Sequence, residues 1–198
     1  MIKLSVANDK QSKDFIKETI TKFHSYVPTT SSVGRRIDWV IFNDNKPVGM
    51  IGIGSSVYPA PKDLLRHINM DLKTYKKYFN SFASNWRFCM REHIKNAGTQ
   101  ILKELRKQSP IYWKQKYNDD LKYLITFVAG GNNGAVYKAD NWLLIGETSG
   151  LPKHKSVSMK WHDKESLKKL YVKPTGENKK LIFFKKLPFS SGPITTLS

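Results

Sequence analysis

Apolar residues recur at helical spacing over Ser12–His24, where Phe15, Ile16, Thr19, Ile20 and Phe23 alternate with Lys and Glu. Pro28 and the Thr-Thr-Ser-Ser run after it end that helix. Two β-rich runs follow, Asp38–Asn43 and Pro47–Ile53. They are joined by Asn43-Asp44-Asn45-Lys46, a hairpin signal. Pro59–Tyr78 is basic and reads as helical in parts, around Leu64, Leu65, Ile68 and Met70. Trp86–Met90 reads as a short strand and Arg91–Gly98 as a loop. Thr99–Lys107 reads as a helix with Ile101, Leu102 and Leu105 on one face. A basic, aromatic link (Tyr112–Tyr117) leads into Leu124–Gly150. There a strand-like run (Tyr123–Val128), a Gly/Asn-rich turn (Ala129–Gly134), a short segment with Tyr137, and a second strand-like run (Leu143–Glu147) succeed one another. The order predicts an α/β (α+β) fold whose sheet is mixed but mainly antiparallel, in one domain over residues 1–187, with an irregular tail at 188–198.

Two readings of Leu124–Gly150 stand side by side. Gly130, Gly131 and Gly134 permit turns that other residues resist, so the backbone could make room for a bound group and aim Tyr137 at it. The alternative is a long hairpin loop with a packed Tyr and Trp. Gly49, Gly52 and Gly54 resemble a dinucleotide loop only faintly. Their spacing is GxxGxG and no helix-forming run follows, so they read as places where a strand passes close to a neighbour.

Charge changes the picture most. The chain of 198 residues carries a net charge of +18, which points to a polyanionic partner. Nucleic acid is the first candidate and an anionic membrane surface the second. Between Leu151 and Lys186 there are 11 Lys against three acids, which marks that stretch as a basic tail. No apolar run approaches 18 residues, so no membrane span is expected. The N-terminus lacks an apolar signal core, and the one cysteine, Cys89, reads as a small buried hydrophobe. These features suggest a reducing cytoplasm. The five histidines show no ligand spacing, so no metal is expected. There is no Walker loop, no zinc-deaminase signature and no cluster of acids for a two-metal nuclease.

A second candidate site is the loop Arg91–Gly98 with Thr99 at the helix start. A helix N-terminus beside Arg91, His93 and Lys95 suits a phosphate, and Ala97 and Gly98 would let an anion approach the backbone. Simple capping by Asn96 or Thr99 is the alternative. Arg87 sits inside an apolar run and calls for a carboxylate or phosphate partner, unless strand alternation turns it to solvent. His24 is either an acid/base group or metal ligand, or else a cap or surface group at a helix end.

The segments FHSYVP, GRRIDWVIF, VGMIGIGS and NWRFCMREHIKNAGTQIL, and above all LITFVAGGNNGAVYKADNWLLIGETSG, resemble the Mom family of phage DNA-modification proteins. They also resemble its relatives, the DruA-like proteins of the Druantia defence system. The resemblance spans roughly residues 15–175 and implies a GNAT-like fold. It also implies transfer of a group to the exocyclic amine of adenine in DNA, which protects phage DNA from restriction. By motif it assigns catalytic roles to His24, Tyr26, Arg87, Thr99 and Tyr137. It places an acyl- or aminoacyl-type donor, acetyl-CoA among the candidates, at Arg91, His93, Lys95, Asn96, Ala97 and Gly98. DNA contacts would come from Arg35, Arg36, Lys153, Lys155 and Lys160. Two departures stand out: Ala129 where the family usually has Asp, and Asn133 near a position often held by His. Asp140 is the nearest other acid. The alternative expectation is a DruA-like protein that binds nucleic acid without transfer chemistry, and a third is an ordinary GNAT enzyme acting on a protein or small molecule.

Overall fold

The computed structural model describes residues 1–24, 34–129, 132–148, 150 and 179–188. The elements in chain order are β1 (Ile2–Val6), α1 (Lys10–Phe23), β2 (Arg36–Asn43), β3 (Lys46–Ser55), α2 (Lys62–His67), α3 (Leu72–Lys77), β4 (Phe82–Met90), α4 (Ala97–Tyr117), β5 (Tyr123–Val128), α5 (Ala135–Ala139), β6 (Leu143–Glu147) and β7 (Leu181–Lys186). The seven strands form one sheet in the order β1-β2-β3-β4-β5-β7-β6. Every pairing is antiparallel except β4 with β5.

Strand alternation sorts the core. Ile37, Trp39, Ile41, Ile51, Ile53 and Leu124 pack under Ile101, Leu102, Leu105 and Trp113 of α4, with Tyr137 and Trp142 beside them. The opposite face has two helical covers. Ile16 and Ile20 of α1 sit on Val40, Met50 and Cys89, while Leu64 of α2 and Tyr75 of α3 sit on Phe82, Ile125, Ile182 and Phe184. The β2–β3 turn takes Asp44 and Asn45 through positive φ, 48° and 74°, as a tight hairpin requires. Gly52 on β3 confirms the close-approach reading: a Cβ there would lie 2.2 Å from Asp38 Oδ1 and 2.4 Å from Trp86 Nε1.

Four expectations are corrected. The helix expected to stop at Lys107 runs on to Tyr117 and absorbs the basic link, Pro110 included. Its last turns are held by Trp113, whose buried indole donates to Asn80 O at 3.0 Å. The Leu124–Gly150 unit is not a hairpin, because β7 lies between β5 and β6. Part of the basic tail is that strand, with Ile182, Phe183 and Phe184 buried. β1, which the periodicity does not reveal in five residues, forms one edge of the sheet.

Candidate active site: the cleft between two diverging strands

β4 and β5 pair only over Phe82–Ser84 and Tyr123–Ile125. Beyond that point they part. From Trp86 on, β4 keeps its partner β3, and from Thr126 on, β5 keeps β7. Each strand therefore turns one edge of backbone N–H and C=O groups into the gap between them. The result is a cavity of about 390 Å³ lined by both strands, by Phe23 and His24 at the end of α1, and by Asn132–Tyr137.

A β-bulge shapes the floor. Gly52 faces Arg87 and Ile53 faces Asn85, so Trp86 is the extra residue. The bulge sets Asn85 on the α4 side of the sheet, level with Ile53. Its amide donates to Gly52 O at 2.8 Å and Arg87 O at 2.9 Å, which leaves Oδ1 to accept. Tyr137 Oη donates to that oxygen at 2.7 Å. Thr126 Oγ1 lies 3.3 Å from Asn85 O and 3.5 Å from Tyr137 Oη. The Tyr137 ring is 7% exposed, stacked on Phe183 at 5.7 Å and set edge-on to Trp142 at 5.2 Å. The α5 turn that aims it starts at Gly134, whose φ is +69° and where a Cβ would strike the Phe183 ring at 2.3 Å. Asn133 Oδ1 accepts from Ala135 N at 2.9 Å and fixes that start.

The cleft is electropositive. Burial pushes the His24 imidazole below its ordinary value of 6.5, and the charge of Arg87 adds to the shift. Burial likewise lowers Lys180, again with Arg87 contributing. Arg87 therefore stands within electrostatic reach of both. Its guanidinium donates to Trp86 O at 2.7 Å and lies 4.7 Å from the Trp86 ring centre. No carboxylate is among the described residues lining the cleft. Cys89 lines it too, with its thiol pushed up by burial, as a small apolar group rather than a nucleophile.

Of the residues singled out in the sequence, His24, Arg87 and Tyr137 line this one cleft. Tyr26, Lys153, Lys155 and Lys160 lie outside the described residues, as do Gly130 and Gly131. Arg91 does not face the gap. It anchors α1 instead, donating to Thr19 Oγ1 at 2.8 Å, to Phe15 O at 3.1 Å and to Glu18 at 2.9 Å. His93, Lys95 and Asn96 are exposed, and Ala97 is buried. Gly98 packs on Val136, which a Cβ would strike at 2.4 Å, so it serves helix packing. Neither alternative cap is realised: Asn96 sits at φ 59° with no side-chain bond into the helix, and Thr99 Oγ1 only reaches Asn96 O at 3.5 Å. The start of α4 thus remains without a side-chain cap beside His93 and Lys95.

Arg35 pairs with Asp119 and lies 4.8 Å from the Tyr117 ring centre. Arg36 pairs with Asp38 and covers the Trp86 ring at 3.9 Å. Both charges are matched within the fold. Asp140 is no substitute for the acid missing at Ala129. It takes two bonds from Arg106, at 2.9 and 2.7 Å, and one from Trp142 Nε1 at 2.9 Å. Asn85, Thr126 and Lys180 were not singled out by sequence. The available signal was a polar residue inside an apolar strand, which alternation alone assigns to solvent.

No protein-family model matches the chain, and no curated protein matches it. Solved structures do. The acetyltransferase of GNAT family from Streptococcus pneumoniae aligns with a TM-score of 0.53 at 12% identity, over 94% of this chain and 99% of that one. The spermidine N-acetyltransferase from Vibrio cholerae, solved with CoA and spermine, gives 0.53 at 10% identity over 94% and 95%. The ribosomal-protein-S18-alanine N-acetyltransferase from Escherichia coli gives 0.51 at 10% identity over 100% and 99%. At these identities the likeness establishes the fold: the chain has the GNAT-like architecture that the resemblance implied, on the α/β, mainly antiparallel plan that its element order predicted.

Proposed function

We propose that the chain is an acyltransferase of the GNAT type that carries an acyl or aminoacyl group from a thioester donor, acetyl-CoA among the candidates, to an exocyclic amine of a DNA base. The observation that carries the reading is the cleft where β4 and β5 part, floored by the Asn85–Tyr137 hydrogen bond. Its two strand edges suit the paired amides of a pantetheine arm, which can bond to them as an extra strand would. A thioester held there supplies an electrophilic acyl carbon and a thiolate leaving group. Arg87 and Lys180 supply positive charge for the donor's anionic part, and the uncapped start of α4 is a further place for phosphate.

Chemistry then falls to His24 and Tyr137. His24, kept neutral by burial, accepts a proton from the attacking amine. Tyr137 gives its hydroxyl proton to the departing sulfur by turning that hydroxyl out of its resting bond to Asn85 Oδ1, with Thr126 Oγ1 beside it. One C–N bond forms and one C–S bond breaks. The DNA half of the reading is supported by the +18 charge and by the resemblance of Leu124–Gly150 to the Mom family. A target base must leave its stack to reach such a cleft.

Expression in a restriction-deficient bacterium, with mass spectrometry of its nucleosides, tests this. A new nucleoside mass that disappears with Tyr137→Phe is expected. Unchanged nucleosides alongside salt-resistant DNA binding would instead favour the DruA-like reading without transfer. One observation already favours that second reading: Ala129 lines the cleft where the Mom family has an acid.

A further inference from the structure

We propose that the stretch between β3 and β4 is a binding platform for single-stranded nucleic acid, with Tyr58 and Tyr78 as its stacking rings. This rests on the nucleic-acid half of the function proposed above and names the surface that would meet the strand. Tyr58 is 50% exposed, Tyr78 40% and Leu72 38%, a concentration of exposed large apolar residues on one short segment. The two tyrosines belong to one spot. Tyr58 sets its ring edge-on to Phe79 at 6.2 Å, and Tyr78 precedes Phe79 in the chain.

The spot is rigid. Phe79 packs on Tyr75 at 5.9 Å, and Tyr75 on Phe82 at 5.0 Å. Phe82 stacks on Tyr123 at 4.6 Å and Tyr123 on Phe184 at 5.5 Å, so a run of rings leads from the surface to the sheet. Tyr75 is fully buried, and its hydroxyl donates to Ser56 Oγ at 2.7 Å and lies 3.2 Å from Val57 O. That hydroxyl thereby ties the segment before Tyr58 to the helix before Tyr78. Rings held in place before binding lose little freedom when a base stacks on them.

Charge selects the partner. Lys73, Lys76 and Lys77 are exposed on α3, with Lys62 and Arg66 on α2, and Lys77 Nζ lies 5.4 Å from the Tyr78 ring centre. The acids of the two helices have other duties. Asp71 caps α3 through Thr74 N at 2.6 Å, and Asp63 bonds Arg66 and the Glu147 amide. Cations around exposed aromatic faces suit phosphates and bases together, whereas a paired duplex hides its base faces. The placement also fits. α1 and the α2–α3 pair cover the same face of the sheet, α1 over β2–β4 and the pair over the start of β4, β5 and β7, so the far end of β4, where the cleft opens, lies between them.

Fluorescence anisotropy with labelled dT12 and with a 12-base-pair duplex, across a salt series, tests the platform in the full chain. The double variant Tyr58→Ala/Tyr78→Ala should weaken dT12 binding at least about 25-fold, from roughly fivefold or more per ring. It should leave the duplex within twofold and the thermal unfolding unchanged. Tyr58→Phe/Tyr78→Phe should bind like the unaltered chain. Lys73→Gln/Lys76→Gln/Lys77→Gln should lower the salt slope for dT12 by about 2. A double alanine variant that holds dT12 within twofold overturns the proposal, as does equal loss on both probes. Ring-dependent dT12 binding with no new nucleoside would sink the transferase reading and leave the platform standing.

Discussion

The two ends of the sheet carry cavities of opposite character. At the end where β1 stops and β2 starts lies the larger one, about 680 Å³, between Lys13, Asp14 and Lys17 of α1 and Tyr112 and Lys116 of α4. At the other end is the cleft of about 390 Å³ between β4 and β5. Size ranks them opposite to the proposed function. Along the Arg36–Asp38 wall of the larger cavity the polar groups already satisfy one another. Arg36 bonds Asp38, Trp86 Nε1 donates to Asp38 at 2.9 Å, and Lys116 donates to Arg36 O at 2.9 Å. Burial still raises the Asp38 carboxyl, with Arg36 pulling the other way, so that cluster reads as a joint in the fold. In the cleft, by contrast, two strands present unpaired edges, and one bulge aims Asn85 at a tyrosine. Organised polar groups with room beside them, rather than volume, mark the site.

The comparison breaks most decisively at Tyr137. Tyr137→Phe should lower transfer by about a hundredfold or more, because an acid is lost from the reacting centre. Stability should fall by only about 1 kcal/mol, the worth of one hydrogen bond. Tyr112→Phe in the larger cavity should leave turnover unchanged, and an equal loss there would erase the distinction. Next comes the ion pair that seats the cleft wall. Arg106→Ala strands the buried Asp140 and should cost about 3 kcal/mol in denaturant unfolding.

Gly52→Ala tests the joint between the two regions. Its Cβ would collide with both Asp38 and Trp86, and a loss of about 1–3 kcal/mol in thermal unfolding is expected. The smallest effect is in pH. Because His24 is depressed in the folded chain, its base form persists below 6.5, and the acid limb of kcat/KM should fall below that value. His24→Gln should remove the limb. The linked stability has the same sign: the unfolded chain takes up the proton first, so the His24 contribution is present above 6.5 and lost as pH falls through the folded value.

These contrasts also show what the sequence could reveal. The β2–β3 hairpin was legible because Asp44-Asn45 sits between two β-rich apolar runs, and the turn chemistry is local. α1 was legible from one apolar stripe. The apolar stripe of α4 is legible only to Lys107; Pro110 disfavours a helix locally, whereas Trp113 and its bond to Asn80 O carry the helix on through tertiary contact. β7 was hidden by its lysines. LIFFKK reads as part of a basic run, yet its apolar residues fill the slot between β5 and β6. Within the site, Tyr137, His24 and Arg87 were legible from the motif or from an odd residue in an odd place. Asn85 was not, because a one-residue bulge determines which way it faces, and a bulge leaves no mark in the pattern. Arg91 misled for a similar reason: its place beside a helix start suits a phosphate, but Thr19 and Glu18 on α1 claim it first.

The position of β7 has a consequence for how the molecule is made. Phe183, the ring on which Tyr137 stacks, lies 46 residues further along the chain. A nascent chain that has delivered everything through β6 has both walls of the cleft but no bed for its tyrosine. β5 then waits with an open edge until residues 181–186 slide in between strands already made. Such a late, long-range closure is slow relative to hairpins and helices. The Asn85–Tyr137 arrangement is therefore among the last features to form during synthesis, and a chain cut short before Leu181 cannot assemble its Phe183 bed.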